Sequence, residues 1–521
     1  MDAIRSCLSS WWPSRAAPYE NISQWELDGA AARMSDEGEL VISQGGHQFT
    51  LTLVDNGIQR QDHSPRIQVE IVPYLNVLFA GVSFTPAGRS LLDFSYLSAA
   101  SSTLQLHQIS SDVSAVQGTS ILRWVSEIQK KAYGGITPRR RLLVVVNPHG
   151  GQGKAKKLWH EIIEPIFTAA GCVIHVQYTG PVSSPTNAAA IARNVDLEAY
   201  DAIVPVSGDG IVNELINGLA SREDALSALR MPIAPIPAGS GNALSVNIMG
   251  PVKVLDVAYG CLNAIKGQPI PLDICSVTQG DRRGYSFLSQ AFGLMADLDM
   301  GTEWIRWVGG IRFALGYLYG ILTGCKYEVE ITLKVVESDK CVMVEEYNSH
   351  QQSLEPSTEG KVSSADVRMP PLVFGSTDAP FPRGVVHDRL EAPLAPGFHT
   401  FRLPVQFICA GKLPWLSRDS MVLPLVRSDG LIDVIIVPPR SAKASIKTID
   451  GQEEGRFLSS PDCYYFKVEA YRCIPLEKSG YISIDGESIP HEVFQVENHP
   501  RLARIMSMET RWKGLERIVL K

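Results

Sequence analysis

The stretch VPVSGDGIVNELINGL, from Val204 to Leu219, decides the fold. It joins an apolar run, typical of a buried strand, to a run whose apolar residues recur at helical spacing. At the junction two glycines, Gly208 and Gly210, flank a single acid, Asp209. Glycine permits positive φ angles and lets the backbone come close to another group. The stretch therefore predicts a strand, a tight turn and a helix, with one carboxylate held at the turn.

Two similar units lie nearby in the chain. NPHGGQGKA, which starts at Asn147, follows the apolar run LLVVV, and PAGSGNAL, which starts at Pro237, follows MPIAPI. Strands that alternate with helices predict a mainly parallel sheet whose loops meet at the carboxyl ends of the strands. Backbone N–H groups of glycine-rich turns can bind an anion. Three such turns at one edge predict a phosphate site.

The common phosphate-binding motifs do not fit these turns. A Walker A loop needs GxxxxGK[ST], but Pro148 and Ala155 occupy its first and last positions. A GxGxxG dinucleotide fingerprint fails at Lys156. The net charge of -7 argues against a general nucleic-acid-binding protein. The predicted phosphate site is therefore local and of another type.

The texture of the sequence predicts four regions. Residues 1–35 read as a tail, and residues 36–135 as short alternating strands followed by a helix with Ile121, Trp124, Val125 and Ile128 on one face. That arrangement resembles a small pleckstrin-homology-like domain, either a structural spacer or a lipid-binding module. Residues 138–270 predict an α/β nucleotide-binding lobe. Residues 271–521 predict a β-rich lobe with a polar, disordered insertion near 349–367.

The boundary after the N-terminal region carries three consecutive arginines, 139–141. Such a run is typical of a solvated linker, and the alternative is a contact with anionic lipid. The nine cysteines form no CxxC pair, which fits free thiols in a reducing compartment. No secretory signal is evident, and Cys7 lies either in a frayed tail or in an acylated membrane contact. These features predict a cytoplasmic protein that associates peripherally with membranes.

Read together, the three glycine turns resemble the diacylglycerol kinase catalytic family. LSQAFGLMADLDMGTEWIRWVGGIRFALGYL, which starts at Leu288, and ISIDGES, which starts at Ile482, resemble its sphingosine kinase branch. The similarity is strong over about residues 140–330 and patchy beyond. It implies an α/β, two-lobed fold, with an α/β nucleotide lobe and a β-sandwich lobe, behind the small N-terminal domain. It also implies a lipid kinase that uses ATP and Mg²⁺ to phosphorylate the primary hydroxyl of sphingoid long-chain bases.

The resemblance assigns the lipid side of the site to two places. Asp209 is the catalytic base, and the turn formed by Ser207, Gly208, Asp209 and Gly210 contacts the acceptor lipid. A carboxylate suits this role if it lies within hydrogen-bond reach of the hydroxyl. A helix-capping role for the same aspartate is compatible with catalysis. Asp299, with Asp297 as a helper, is implied to bind the ammonium group of the base, which diacylglycerol and ceramide lack.

The resemblance also implies a set of nucleotide contacts: Asn147, Pro148, His149, Thr179, Asn187, Glu214, Gly239, Ser240, Gly241, Arg306, Arg312, Asp485, Gly486 and Glu487. Arginine suits phosphate because its planar fork donates two parallel hydrogen bonds. For the two arginines structural salt bridges are the alternative, and for Glu214 a solvent-facing position. No metal-ligand spacing is visible, so Mg²⁺ is expected to come with ATP, near Asp485 and Glu487.

Three rival functions fit the same motifs. One is a kinase acting on ceramide or diacylglycerol, which the N-terminal domain favours. Another is a catalytically inactive, membrane-docked lipid sensor. The third is a nucleotide-cofactor kinase with related loops, which the long apolar segment and the β-rich C-terminal lobe disfavour. The aromatic segment around Arg306 and Arg312 suits a lid over an acyl chain and equally an ordinary core helix. The expected partners are a sphingoid base and a membrane surface, with a homodimer possible.

Overall fold

The structure is a computed structural model of the chain. It describes residues 31–34, 39–44, 47–63, 68–84, 89–100, 103–113, 118–181, 183–239, 241–301, 320, 324–352, 385–387, 390, 394, 397–426, 429–449, 454–509 and 512–520.

The N-terminal region forms a β-sheet closed by one helix. Its strands are β1 (Ala31–Met34), β2 (Leu40–Gln44), β3 (His47–Val54), β4 (Gly57–Asp62), β5 (Gln68–Pro73), β6 (Val77–Phe84), β7 (Ser90–Ala100) and β8 (Thr103–Asp112), and its helix is α1 (Gly118–Tyr133). In the described residues the order is β5-β4-β3-β2-β1-β8-β7-β6. The strands pair antiparallel except β1 with β8. Ile121, Trp124, Val125 and Ile128 of α1 are buried, as predicted.

The predicted tail is wrong for Ala31–Met34, which form β1 rather than an unpaired segment. The strand is short, and what defines it is backbone pairing with β2 and with Asp112, which lie further along the chain. Its four residues show no alternation that a sequence reading could use. The resemblance of this domain to pleckstrin-homology domains stays a prediction.

The nucleotide lobe is an α/β unit with a parallel sheet, as predicted. Its elements are β9 (Arg141–Val146), α2 (Gly150–Gly153), α3 (Ala155–Leu158), a π-helical turn (Trp159–Ile163), α4 (Glu164–Ala169), β10 (Val173–Tyr178), α5 (Ala188–Asn194), β11 (Ala202–Ser207), α6 (Asp209–Ala220), α7 (Ala225–Ala228), β12 (Ile236–Pro237), α8 (Ala243–Lys253) and α9 (Val257–Lys266). The strand order is β10-β9-β11-β12, with parallel neighbours.

Both faces of this sheet are covered. Along β9, Leu142 and Val144 belong to the core shared with Trp159 and Phe167, while Leu143 belongs to the opposite core. A strand buried on both faces reads as a continuous apolar run, which explains why LLVVV shows no alternation. The sheet is thereby held rigidly, and the loops at its carboxyl ends start from fixed points.

The β-rich lobe follows the nucleotide lobe, as predicted. Its elements are β13 (Gln268–Gln279), β14 (Arg282–Ser286), β15 (Ser289–Gly293), α10 (Leu294–Gly301), β16 (Tyr327–Glu337), α11 (Lys340–Gln352), β17 (Val385–His387), β18 (Phe398–Val405), β19 (Phe407–Gly411), β20 (Trp415–Ser417), β21 (Ser420–Met421), β22 (Ile432–Val437), α12 (Ala442–Ile449), β23 (Tyr464–Pro475), β24 (Ile482–Ile484), β25 (Glu487–Ile489) and β26 (Phe494–Ser507). The main path of its large sheet is β14-β13-β26-β23-β22-β19-β15-β24-β25, and β16, β17 and β18 join it at β23.

The insertion predicted to be disordered needs a correction at its start. Residues 349–352 belong to α11, because Tyr347 and Asn348 of that helix pack against and bond to residues 515 and 518. The remainder of the insertion, from residue 353, lies outside the described residues.

Backbone pairing joins the nucleotide lobe to the β-rich lobe. Ile233 forms β-bridges to Ile203 of the nucleotide lobe and to Ile505 of β26.

The solvated-linker prediction is wrong for Arg140, which is buried, whereas Arg139 and Arg141 are exposed. Arg140 is 6% exposed and donates to the carbonyls of Ala264 and Gly267 at 2.9 and 2.6 Å. Arg139 adopts a φ of 56° and lies over the Phe79 ring, and Arg141 pairs with Asp201. The three side chains look alike in sequence, but each meets a different surface.

The N-terminal domain and the nucleotide lobe share one hydrophobic core, which runs from Leu40 to Met506. At the interface the buried Lys266 donates to the carbonyls of Tyr74 and Ala132 at 3.0 and 3.1 Å. Burial lowers the pKa of its ammonium group to about 7. The two domains therefore pack as one body here.

No single helix in the described part of the chain is both long enough and apolar enough to cross a membrane, although α8 and α9 pass that test together as a pair bent by 115°.

Candidate functional site

The candidate site lies at the carboxyl ends of the parallel strands. The strands β9, β10, β11 and β12 lead to Asn147, Thr179, Gly208 and Gly239, respectively. The first crossover runs from β9 to β10 on one side, and the chain then returns to β11 and β12 on the other side of β9, so the strand order reverses between β9 and β11. Open α/β sheets bind ligands at such a switch point. The structure thus brings the three predicted glycine turns to one edge.

Two of the glycines are required by contact between the loops themselves. A Cβ atom on Gly208 would lie 2.4 Å from the carbonyl oxygen of Gly241, and one on Gly239 would lie 2.3 Å from the Cα of Gly208. Asp209 N also donates to the Gly241 carbonyl at 3.2 Å. The loops after β11 and β12 therefore pack backbone against backbone. At Gly210, by contrast, the nearest atom to an added Cβ is the Oε1 of Glu487, at 3.4 Å.

Asp209 caps a helix, although not the helix that follows it in the chain. Its Oδ2 accepts from Ala243 N at 2.7 Å and its Oδ1 from Leu244 N at 3.0 Å. Both donors belong to the first turn of α8, so the carboxylate joins the two loops. Burial raises the pKa of Asp209 to about 6, against the opposing effect of these two hydrogen bonds. A carboxyl with such a pKa can exchange a proton near neutral pH.

The turn after β9 is organised by Asn147. Its Nδ2 donates to Ser207 Oγ at 3.3 Å, and its Oδ1 accepts from His149 N at 3.0 Å. The backbone adds a bond from Gly150 N to the Asn147 carbonyl at 2.9 Å. Asn147 therefore links this turn to the start of the Asp209 turn. His149 is exposed and Pro148 is half-buried.

Three of the predicted nucleotide contacts lie around the start of α5. Thr179 is buried, and its N–H donates to the Val146 carbonyl at 2.9 Å. Asn187 caps α5 by accepting from Ala190 N at 2.7 Å, and Glu214 of α6 accepts from Ala188 N at 3.2 Å. Burial raises the pKa of Glu214. The Glu214 carboxylate is therefore half-buried and hydrogen-bonded to the first turn of α5, rather than fully solvent-facing. Its contact with the nucleotide stays a prediction.

The turn after β12 is held by Asn242, which the sequence reading did not single out. Asn242 Oδ1 accepts from Gly239 N at 3.1 Å and its Nδ2 donates to the Gly239 carbonyl at 2.8 Å. Ser240 lies outside the described residues, as do Arg306 and Arg312. Asn in a GSGN turn is a frequent turn residue, so composition alone did not distinguish it.

The head-group candidates lie on α10. Asp299 belongs to this helix. Asp297 is half-buried, and its Oδ2 accepts a hydrogen bond from the Tyr327 hydroxyl. Burial raises the pKa of Asp297. Tyr327 belongs to β16, so this carboxylate is positioned by the β-rich lobe.

The IDGES turn meets the nucleotide lobe beside α6. Asp485 has a φ of 52° and is 4% exposed. Its carboxylate accepts hydrogen bonds from five groups of the protein: Ser286 Oγ, Phe287 N, Leu288 N, Ser289 N and Asn213 Nδ2. Burial raises the pKa of Asp485. Its oxygens are thus taken up by the fold, and Asn213 ties them to α6. Gly486 completes the turn with a φ of 84°.

Glu487 differs from Asp485. Its side chain is exposed, and its Oε1 lies beside Gly210. Of the two carboxylates in this turn, Glu487 is therefore the one that reaches the Asp209 loop from outside. Asn213, like Asn242, was missed by sequence reading, since an asparagine on a helix is usually a solvent-facing residue.

The chain is similar to proteins of known family. Residues 141–277 match the Diacylglycerol kinase catalytic domain family. The chain is 35% identical to Sphingoid long chain base kinase 4 of Schizosaccharomyces pombe, over 72% of this chain and 77% of the relative. It is 30% identical to Sphingosine kinase 1 of Arabidopsis thaliana, over 67% of this chain and 68% of the relative. A crystal structure of a diacylglycerol kinase from Bacillus anthracis aligns with a TM-score of 0.45 and 18% identity, covering 71% of this chain and 97% of that one.

The matched catalytic domain contains Asp209 and the three glycine turns that meet at the edge of the sheet. The resemblance read from those turns is therefore confirmed. The chain belongs to the family of sphingosine kinases and sphingoid long-chain base kinases, and it is a lipid kinase.

Proposed function

We propose that the chain transfers the γ-phosphoryl group of ATP to the primary hydroxyl of a sphingoid long-chain base. The observation that carries the proposal is the Asp209 carboxylate. It lies at the edge of the sheet, where the glycine-rich turns after β11 and β12 meet. Two backbone N–H groups hold it, and its pKa is raised to about 6. Phosphoryl transfer needs a positioned acceptor, neutralised phosphate charge and a group that accepts the hydroxyl proton.

Asp209 acts as the general base in this proposal. Its Oδ1 and Oδ2 each accept one hydrogen bond from α8, which leaves further lone pairs for the substrate hydroxyl. The hydroxyl oxygen forms a bond to the γ-phosphorus as the bond to the β-phosphate oxygen breaks. The proton passes to Asp209, and the products are ADP and the base 1-phosphate. The fixed contact between Gly208 and Gly239 keeps the acceptor side and the phosphate side in register.

The residues at this edge fit Mg²⁺ bound through ATP. Magnesium usually keeps several waters and takes one or two carboxylates together with substrate phosphates. Glu487 supplies an exposed carboxylate beside Gly210, whereas Asp485 is saturated by protein donors. When bound, the ion would supply positive charge to the phosphate oxygens. Nearby backbone N–H groups of the glycine turns would orient the same phosphates.

The choice of a sphingoid base rests on charge. A sphingoid base carries an ammonium group next to its hydroxyls, and carboxylates on α10 attract a cation. The two relatives above are named for sphingosine or sphingoid long-chain bases. Because such a lipid resides in membranes, we propose that the protein meets its substrate in the cytoplasm at a membrane surface.

The experiment is phosphate transfer from labelled ATP with Mg²⁺ to sphinganine, ceramide and diacylglycerol, each offered separately. The variants are Asp209→Asn, Asp299→Asn and Asp281→Asn. Asp281 is an exposed carboxylate in the turn between β13 and β14 and serves as the matched control.

We expect transfer to sphinganine by the wild type and the Asp281 variant, and loss in the other two. A preference for ceramide or diacylglycerol that is unchanged in Asp299→Asn would support a lipid kinase but contradict a sphingoid base as its substrate. No transfer to any lipid by the intact protein would favour the sensor over the enzyme.

A further inference from the structure

The helix that holds Asp209 depends on its neighbours for its own position. Helix α8 contains Gly250 with φ 85° and ψ 166°, followed by Pro251, so its regular part ends after Met249. A helix of about two turns is marginal on its own in water. The two N–H groups that hold the Asp209 carboxylate come from its first turn. Whatever fixes α8 therefore also fixes Asp209.

One side chain on α8 makes that connection. Asn247 is fully buried and lies one turn after Ala243. Its Nδ2 donates to the Ala243 carbonyl and to the Trp415 carbonyl, both at 2.8 Å, and its Oδ1 accepts from Trp415 N at 3.0 Å. Trp415 belongs to β20 of the β-rich lobe. Asn247 thus ties α8 to the other lobe and also bonds to the residue whose N–H holds Asp209.

A second segment reinforces the same point. Residues 512–520, the clamp segment, run from α8 to α11. Lys513 N donates to the Asn247 carbonyl at 2.7 Å, and the Trp415 indole N–H donates to the Lys513 carbonyl at 2.7 Å. Further along, Asn348 of α11 exchanges two hydrogen bonds with Ile518, at 2.8 and 2.9 Å. The clamp segment therefore connects the β-rich lobe to the middle of α8.

We propose that Asn247, together with Trp415 and the clamp segment, is a positioning residue for the catalytic base, because it fixes the first turn of α8 against the Asp209 carboxylate. The inference rests on the proposed function of Asp209. Asn247 itself lies away from the substrate and acts through Ala243. The contact between the lobes thereby determines where the base stands in the nucleotide lobe.

Loss of the contacts that fix α8 should raise the pKa of Asp209. Hydrogen bonds donated to a carboxylate stabilise its charged form and lower its pKa. If α8 shifts, the bonds from Ala243 and Leu244 lengthen, and the pKa of Asp209 rises further. A role limited to packing would lower the stability of the protein but leave the protonation of Asp209 unchanged. The pH profile therefore separates positioning from packing.

The test uses the full-length chain with Asn247→Leu and Trp415→Phe, and Asn348→Leu as the matched control. Leucine has the same branched arrangement of heavy atoms as asparagine, without its polar groups, and suits the apolar surroundings of α8. Trp415→Phe removes the indole hydrogen bond and part of the ring but keeps the backbone bonds to Asn247, so it is the milder variant if Asn247→Leu does not fold. Asn348→Leu removes two hydrogen bonds to the same clamp segment at Ile518 and leaves the bonds of Lys513 to Asn247 and Trp415 in place.

Steady-state kinetics across pH and a protein-only titration give two readouts. We expect Asn247→Leu to lower kcat by about tenfold or more, with the KM values for ATP and lipid little changed. The midpoint of the acid limb should rise by about half a pH unit. Trp415→Phe should move both quantities in the same direction by less. Asn348→Leu should lower the melting temperature without moving the acid limb.

The protein-only readout follows the amide resonance of Leu244 in deuterated, ¹⁵N-leucine-labelled protein, which reports protonation of Asp209 through their hydrogen bond. This readout needs no lipid. If the wild type phosphorylates no lipid, the proposed function is overturned, but the Leu244 titration still tests the positioning role of Asn247. An unchanged Leu244 titration in Asn247→Leu or, if that variant does not fold, in Trp415→Phe would sink the positioning role. An equal shift in Asn348→Leu would do the same.

Discussion

Two aspartates, each followed by glycine, lie at α6 and have opposite environments: Asp209 begins the helix, and Asp485 accepts a hydrogen bond from Asn213 of the same helix. Asp209 accepts two backbone hydrogen bonds and is only partly buried. Asp485 is 4% exposed and accepts hydrogen bonds from five protein groups. Burial raises the pKa of both. The difference lies in what remains available: Asp209 can still accept a substrate proton, whereas the lone pairs of Asp485 are committed to the fold.

The same dipeptide can therefore leave a carboxylate with free acceptor capacity or commit it to the fold. The number of hydrogen-bond donors around the carboxylate decides which role is possible, and the Asp-Gly dipeptide itself does not. The same chemical change at both positions should therefore have different consequences. Asparagine keeps the shape of aspartate but replaces one acceptor oxygen with a donor.

Asp485→Asn should have the largest effect, and the effect should be on stability. Either orientation of the new amide places an NH₂ group against donors, because Oδ1 serves Ser286, Leu288 and Ser289 and Oδ2 serves Asn213 and Phe287. We expect a loss of about 3–5 kcal/mol in the free energy of unfolding, from two or three unsatisfied buried groups. Denaturant unfolding followed by tyrosine and tryptophan fluorescence measures it. A loss like that of Asp281→Asn, on an exposed turn, would contradict the structural role of Asp485.

Asp209→Asn should instead remove activity. Loss of the base is expected to lower kcat by about 10²–10⁴-fold. Two opposing effects act on stability. The raised pKa means that ionised Asp209 costs native stability above about pH 6, and asparagine removes this cost. Asparagine also leaves one N–H of α8 without an acceptor.

The melting temperature of Asp209→Asn should therefore change by only a few degrees, as measured by differential scanning calorimetry. Unfolding comparable to that of Asp485→Asn would mean that the two aspartates share one structural role. Activity within about twofold of the wild type would remove Asp209 from the general-base role.

Sequence reading predicted the elements that depend on local patterns. The apolar run of β9, the glycine turns and the buried face of α1 follow from residue spacing, and all three occur in the structure. The edge that collects the turns also follows, because parallel strands place their carboxyl ends together. The place where the three turns meet therefore followed from the sequence, while the roles of the individual site residues stay predictions.

Contacts between distant segments were not predictable in this way. Gly208 needs to be glycine because Gly241 lies against it, and Asn247 matters because Trp415 lies beside it. Neither partner can be identified without knowing how the loops and lobes meet. Arg140 illustrates the same limit, since its burial depends on carbonyls more than a hundred residues away.

Gly208→Ala tests whether the loop contact, and not open space for substrate, explains the glycine. The new Cβ would lie 2.4 Å from the Gly241 carbonyl oxygen, so the loops must separate and Asp209 must move relative to α8. We expect kcat to fall by about 10²-fold, the cost of a displacement near 1 Å in a catalytic group. Gly210→Ala is the control, because its Cβ meets only Glu487 Oε1 at 3.4 Å. Equal losses in the two variants would show that substrate access, and not loop packing, sets the requirement.

The smallest expected effect concerns how Asp485 acts on Asp209 through space. Since Asp209 must be ionised to accept a proton, kcat/KM should fall about tenfold per pH unit below its pKa of about 6. The negative charge of Asp485 contributes to that raised pKa, after burial. Removing the charge in Asp485→Asn should therefore shift the acid limb of the surviving folded enzyme to lower pH, by a fraction of a pH unit. The pH profile is measured at a temperature where the variant remains folded, with Asp281→Asn as the control for charge. A shift to higher pH would indicate that Asp485 positions the Asp209 loop rather than acting by its charge alone. The two carboxylates would then be coupled structurally, through the hydrogen bond between Asp485 and Asn213 and through α6.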